Sequence, residues 1–96
     1  MRKYEIMYIV KTSLEDAARI ELIANLHKIL TDNKGVITTV DDWGVKELAY
    51  PIDFMTKGYY VVLKLDAEPE TVKEFDRLAR INTNVVRHMI LNLEEQ

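Results

Sequence analysis

The stretch VITTVDDWGVKELAYPIDFMTKGYYVVLKL, residues 36–65, decides the fold. Val36 to Thr39 opens a strand that extends through Trp43 to about Ile52, and Gly44 inside it marks a bulge or bend. Pro51 has no N–H to give a ladder, so this run is an edge strand or its end. Asp53 to Gly58 is turn-like, and Tyr59 to Leu65 is an apolar, aromatic and β-branched run suited to an interior strand. Two such runs joined by a turn read as a hairpin.

Working outward, both flanks of the hairpin read as helices. On the N-terminal side Thr12 and Ser13 offer an N-cap, with Asp16 three residues after Ser13, and Ile20, Ile23, Leu26 with His27, and Leu30 repeat at helical spacing. Gly35 can take the left-handed conformation that ends a helix, which gives a helix from about 14 to 33. On the C-terminal side Pro69 suits a first turn, and Val72, Phe75, Leu78 and Ala79 form the apolar stripe of a second helix reaching about Ile81.

The outermost segments are strands. Lys3 to Val10 alternates between Tyr4, Ile6, Tyr8, Val10 and the more polar set Lys3, Glu5, Met7, Ile9, which belongs on the less buried face. Val85 to Leu93 is the last strand, after a short loop at Asn82 to Asn84 and before the polar tail Glu94, Glu95, Gln96. The order is βαββαβ, an α+β, ferredoxin-like arrangement over residues 1–96 as one domain. Right-handed crossovers place both helices on one face of a four-stranded antiparallel sheet, with the first and third strands central and the other face open.

Composition narrows the chemistry. With 96 residues, 48% hydrophobic and 30% charged, the chain reads as a globular domain, and without cysteine it has no disulfides, thiolate metal sites or thiol catalysis. The longest apolar runs, Ile6 to Val10 and Tyr59 to Leu63, fall far short of a bilayer span of ~20 residues. No cleavable leader pattern opens the chain, so a cytoplasmic address is expected. Ser13 is the only serine and is placed at a cap, while His27 and His88 lie in no catalytic or metal-ligand spacing. His27 reads as a helix-boundary residue. Gly35, Gly44 and Gly58 lie apart and form no phosphate loop. Neighbouring carboxylates such as Asp41 and Asp42 point to opposite faces of a strand and do not make an acid–base pair.

Charge is distributed unevenly around a net −3. From Arg77 to Leu93 the chain carries Arg77, Arg80, Arg87 and His88 without an acidic residue, and Arg2 and Lys3 add a basic start. A polarised molecule can bind phosphate on one side. Tyr4, Tyr50, Tyr59 and Tyr60 lie on strands near basic residues and could stack on splayed bases or pack as strand residues.

The string Trp43-Gly44-Val45-Lys46-Glu47-Leu48-Ala49-Tyr50-Pro51-Ile52 resembles the signature of the bacterial small-subunit ribosomal protein number six family. Met1 to Val10 resembles that family's first strand, and Leu78-Ala79-Arg80-Ile81-Asn82 with Val85 and Arg87-His88 its second helix and last strand. The resemblance covers essentially the whole chain. It implies a non-catalytic ferredoxin-like domain of the small ribosomal subunit. Such a domain would bind the central domain, or platform, of the small-subunit rRNA as a heterodimer with ribosomal protein number eighteen. It implies RNA-facing roles for Arg2, Tyr4, Lys46, Tyr50, Arg80, Arg87 and His88, with Lys57 a weaker addition. No cofactor, metal, membrane or small-molecule substrate is expected. Asp53, Phe54, Met55 and Thr56 depart from the more basic residues of many relatives and receive no RNA role. Another reading is an autonomous single-stranded RNA binder of the RNA-recognition-motif type. It requires stacking aromatics on the open faces of the first and third strands.

Overall fold

The computed structural model describes residues 1–52 and 55–94; Asp53 and Phe54 in the expected turn, and Glu95 and Gln96 in the expected tail, lie outside the described residues. The elements are β1 (Arg2–Val10), α1 (Asp16–Asp32), β2 (Val36–Ile52), β3 (Met55–Ala67), α2 (Pro69–Ile81) and β4 (Val85–Asn92). The sheet order is β2-β3-β1-β4 with every neighbouring pair antiparallel, so the ferredoxin-like order and the central positions of β1 and β3 are as the sequence predicts. Strand β3 begins at Met55 rather than Tyr59, because the hairpin ladder continues further toward its tip.

The register sorts side chains by parity. Tyr4, Ile6 and Tyr8 of β1 pair with Leu65, Leu63 and Val61 of β3, and together with Val10 they lie buried beneath the helices. Leu26 and Leu30 of α1, and Val72, Phe75 and Ala79 of α2, close this core from above. Phe75 is fully buried, and truncating such a ring costs about 3–5 kcal/mol. The opposite parity, Lys3, Glu5, Met7 and Ile9 on β1 with Tyr60, Val62, Lys64 and Asp66 on β3, forms the open face. Only Ile9 of that β1 set is buried.

Two details of α1 correct the sequence expectation. The helix starts at Asp16, with Glu15 as an extended N-cap that makes no side-chain cap bond, so neither Thr12 nor Ser13 caps it. Backbone pairing decides this: Lys11 N–H donates to the Asn84 carbonyl, which prolongs the β1 end and spends Thr12 to Leu14 on the turn. Ile20 is 64% exposed and stands outside the buried stripe, which runs through Ile23, Leu26 and Leu30 with Leu22 and Ile29.

The helix ends in a Schellman arrangement, but the left-handed residue is Lys34 (φ 69°) instead of Gly35. Gly35 N–H donates to the Leu30 carbonyl at 2.8 Å and Lys34 N–H to the Thr31 carbonyl at 3.1 Å. Glycine is required at 35 by close approach: a Cβ there would lie 2.7 Å from the Leu30 oxygen. The same corner receives α2, since the Thr71 hydroxyl donates to the Asn33 carbonyl at 2.7 Å.

This geometry sets opposite outcomes for adjacent substitutions. Gly35→Ala is expected to destabilise by about 1–3 kcal/mol through the overpacked cap. Lys34→Gly is expected to stabilise by up to about 1 kcal/mol by relieving the left-handed conformation. Urea unfolding of both variants checks the pair; equal losses would show that the cap is not built this way.

Candidate nucleic-acid interface

The distal part of the hairpin folds back onto the sheet. Ladder pairing runs regularly through Lys46 with Gly58 and Glu47 with Lys57, then resumes at Ile52 with Met55, so Leu48 to Pro51 stand opposite Thr56 alone. The surplus segment leaves the edge and lies over the open face. There Leu48, Ala49, Tyr50 and Ile52 enclose a small cavity with Met7, Ile9, Tyr60 and Met89. Gly58 makes this fold-over possible. A Cβ at 58 would lie 2.3 Å from Ile9 Cγ2 and 3.3 Å from Leu48 Cδ2, so the missing side chain is the space these residues fill. That packing is why Ile9 alone is buried on its face.

The segment is fastened at its far side. An Arg87 guanidinium N–H donates to the Tyr50 hydroxyl at 2.6 Å, joining the end of edge strand β2 to the opposite edge strand β4. Arg87 pairs with Ile9 in the ladder and therefore belongs to the open face. Tyr50 is 57% exposed, so the pair is presented outward rather than hidden.

The sequence-predicted residues divide by position. Lys46, Tyr50, Arg80 and Arg87 share the end of the sheet where β1 finishes at Val10, the hairpin extends and α2 terminates. Arg2 pairs with Ala67 at the other end of β1, roughly 24 Å along the strand from Ile9 at ~3.4 Å per residue. Tyr4 is 6% exposed, in the core between Leu65 and the helices. The expectation that Tyr4 faces RNA is therefore corrected: its parity directs it inward. Lys57 is exposed on β3 opposite Glu47.

His88 and Arg80 come together through a residue that sequence reading missed. The Asp76 carboxylate meets His88 Nε2 at 2.7 Å with one oxygen and Arg80 at 2.6 Å with the other. The His88 side chain is 15% exposed and sits edge-on to the Phe75 ring at 6.4 Å, so it faces the helix layer and acts as a bracket for α2. The expectation of a surface contact is corrected to that extent. Arg77 is likewise paired, with Glu74 one turn earlier. The run free of acids in sequence is thus answered by acids from the preceding helical turn, and the i, i+4 spacing of Asp76 and Arg80 carried that signal.

Asp76 is held below its ordinary value chiefly by the His88 hydrogen bond and then by Arg80. His27 accepts or donates at 2.8 Å with the buried Tyr8 hydroxyl, and burial pushes its basicity down while it pushes the Tyr8 hydroxyl up. Among the described residues no cluster of three or more His, Asp or Glu could hold a metal ion, and no helix is long and apolar enough to cross a membrane.

The aromatic residues of the open face are not the pair that a single-stranded RNA sheet needs. Its β1 positions are Met7 and Ile9, and Tyr60 of β3 is stacked under Trp43 with centroids 6.2 Å apart and planes at 14°. Tyr59 points to the helix side, where its hydroxyl donates to Asp42 at 2.6 Å and the Arg19 guanidinium lies 4.5 Å from its ring centroid.

An antiparallel four-stranded sheet with both helices on one face defines a ferredoxin-like domain whose other face carries no helix. Comparisons with known proteins place the chain as a whole. The profile described as ribosomal protein S6 matches residues 3–92. The small ribosomal subunit protein bS6 of Shouchella clausii (strain KSM-K16) is 46% identical over 95 residues, covering 99% of this chain and 100% of the relative. The crystal structure of 30S ribosomal protein S6 from Thermotoga maritima superposes with a TM-score of 0.90 at 25% identity, covering 95% of this chain and 86% of that one. The chain belongs to the ribosomal protein S6 family, a family of small-subunit structural proteins rather than of enzymes.

Two expectations follow from these contacts. Tyr4→Ala is expected to lower stability by about 3–5 kcal/mol, as loss of a core ring does, whereas Tyr4→Phe keeps the ring and is expected to stay within about 1 kcal/mol of the parent; equal losses in urea unfolding would contradict the inward placement. The second concerns acid. Both His27 and Asp76 have folded values below their ordinary ones, so each stabilises the fold above its unfolded value and loses that contribution as pH falls through the folded one. The thermal midpoint should fall in two stages, the first below about pH 6.5 and the second below about pH 3.8. His27→Gln is expected to remove the first stage and Asp76→Asn to shrink the second, to which Glu74, held low by its bond to Arg77, also contributes; differential scanning calorimetry across pH can read both.

Proposed function

We propose that this chain, acting as one domain over residues 1–96, binds the central-domain platform of small-subunit rRNA as a heterodimer with ribosomal protein number eighteen. One observation carries the reading: the open sheet face bears an apolar strip between charged residues, and basic residues stand at one end of the sheet. On the face, Met89 and Leu91 are exposed beside the half-buried Met7 and Val62. At that same end of the sheet stand Arg87 bonded to Tyr50, Lys46 on β2 and Arg80 on α2.

Electrostatics favours sharing the RNA with a basic partner. A chain of net charge −3, with Arg80 already engaged by Asp76, brings few unneutralised cations to a phosphate backbone. The direct RNA contacts in this reading are Lys46, Tyr50, Arg80 and Arg87, with His88 supporting Arg80 through Asp76. Arg2 would meet only RNA that reaches the far end of the sheet. The apolar face is the surface for the protein partner, in an interface of ~1,200–2,000 Å². No cofactor or small-molecule substrate enters, and the site of action is the cytoplasmic ribosome.

Isothermal calorimetry and gel shifts at fixed salt, with a platform rRNA fragment, test the reading. Tight binding is expected only when ribosomal protein number eighteen is present, and Arg87→Ala is expected to weaken the ternary complex about tenfold while reducing the log–log salt slope by about 1. Equally tight binding by the isolated chain would overturn the heterodimer reading in favour of an autonomous RNA binder.

A further inference from the structure

Trp43 is the only tryptophan of the chain and is 44% exposed, yet its orientation is fixed. The Tyr60 ring backs the indole in a near-parallel stack, and the indole N–H donates to Asp41 Oδ2 at 2.8 Å, which locks rotation about the side chain. A cation of this same chain lies over the ring, with Lys46 Nζ 5.9 Å from the centroid. Asp42 is engaged on the other side of the strand by Tyr59 and by the Gly44 N–H. The arrangement is a rigid, electron-rich ring with an exposed carboxylate at its edge, and it already attracts positive charge.

We propose that Trp43 and Asp41 form a receptor for one arginine side chain of the basic protein partner. The guanidinium displaces the Lys46 ammonium, stacks on the indole and pairs with the Asp41 carboxylate. Arginine fits better than lysine because its planar group can stack on a ring and present in-plane N–H donors to a carboxylate together. A nucleotide fits worse, since Asp41 and Asp42 repel its phosphate. Pre-orientation matters energetically: a tryptophan whose rotamer is already held loses little side-chain entropy on binding, as at interface hot spots. The displaced Lys46 becomes free for RNA phosphate, which couples partner docking to the basic rim.

This inference rests on the heterodimer reading, and the experiment separates the two. The ¹⁵N-labelled chain gives a single side-chain indole resonance, to be followed by NMR while unlabelled ribosomal protein number eighteen is titrated, with association measured in parallel by calorimetry. The resonance is expected to shift on complex formation. Trp43→Leu and Asp41→Asn are each expected to weaken partner association about tenfold, and Lys46→Ala to tighten it by clearing the ring face. Association with an unmoved indole resonance would overturn the arginine receptor and leave the heterodimer standing. No association at all would overturn both. A resonance that moves with the platform RNA fragment alone, together with Trp43→Leu weakening RNA but not partner binding, would overturn the receptor in favour of base stacking.

Discussion

Strand β1 is laddered on both sides, to β3 and to β4, and the two-residue alternation this imposes governs every other assignment in the molecule. One parity of β1 feeds the core under the helices, the other floors the open face, and a slip of one residue would exchange them. Tyr4, Ile6, Tyr8 and Val10 cannot be moved outward without emptying the core, so the register is held by burial as much as by hydrogen bonds. The partner registers then follow. Arg87 is on the open face because it pairs with Ile9, and His88, one residue on, must face α2. Two consecutive residues of one strand thereby acquire different work, one on the rim and one behind the surface.

Much of this was legible in the chain because the patterns are local. Alternation in Lys3 to Val10 and helical spacing from Val72 to Ala79 each require only their own residues. The failures share a physical reason, that the deciding contact is distant in sequence. The start of α1 depends on a bond from Lys11 to Asn84, which no capping signal at Ser13 can anticipate. Gly58 has the look of a turn glycine, whereas its role is to admit Ile9 from another strand. Tyr4 is a different case. Its alternation already placed it with the buried set, whereas its nearness to Arg2 and Lys3 and the family resemblance pointed to RNA. Trp43 stood inside the family signature without a role, since its stack on Tyr60 and its bond to Asp41 need the bulge that turns the ring over the sheet.

Charge shows the same dependence on three dimensions. A net −3 protein of a ribosomal family looks ill-suited to a polyanion, and the acid-free run from Arg77 to Leu93 looks like the remedy. Folding alters both impressions. Glu74 and Asp76 come back onto Arg77 and Arg80, while Arg87 donates to the Tyr50 hydroxyl. A guanidinium bonded to a hydroxyl is oriented without meeting an opposite charge, so Arg87 is held in place while its positive charge stays on offer.

The bulge between Asp42 and Gly44, with Gly44 at φ 73°, has a consequence for how this protein behaves when it is alone. Strand β2 is 17 residues long and forms an outer border of the sheet, where a straight, apolar strand would template addition of another chain. The bulge breaks the regular spacing of amide groups, two aspartates charge the same stretch, and Pro51 withholds a donor near its end. Each of these features blunts an exposed strand border against pairing with another chain, and the same irregularity gives the strand its shape.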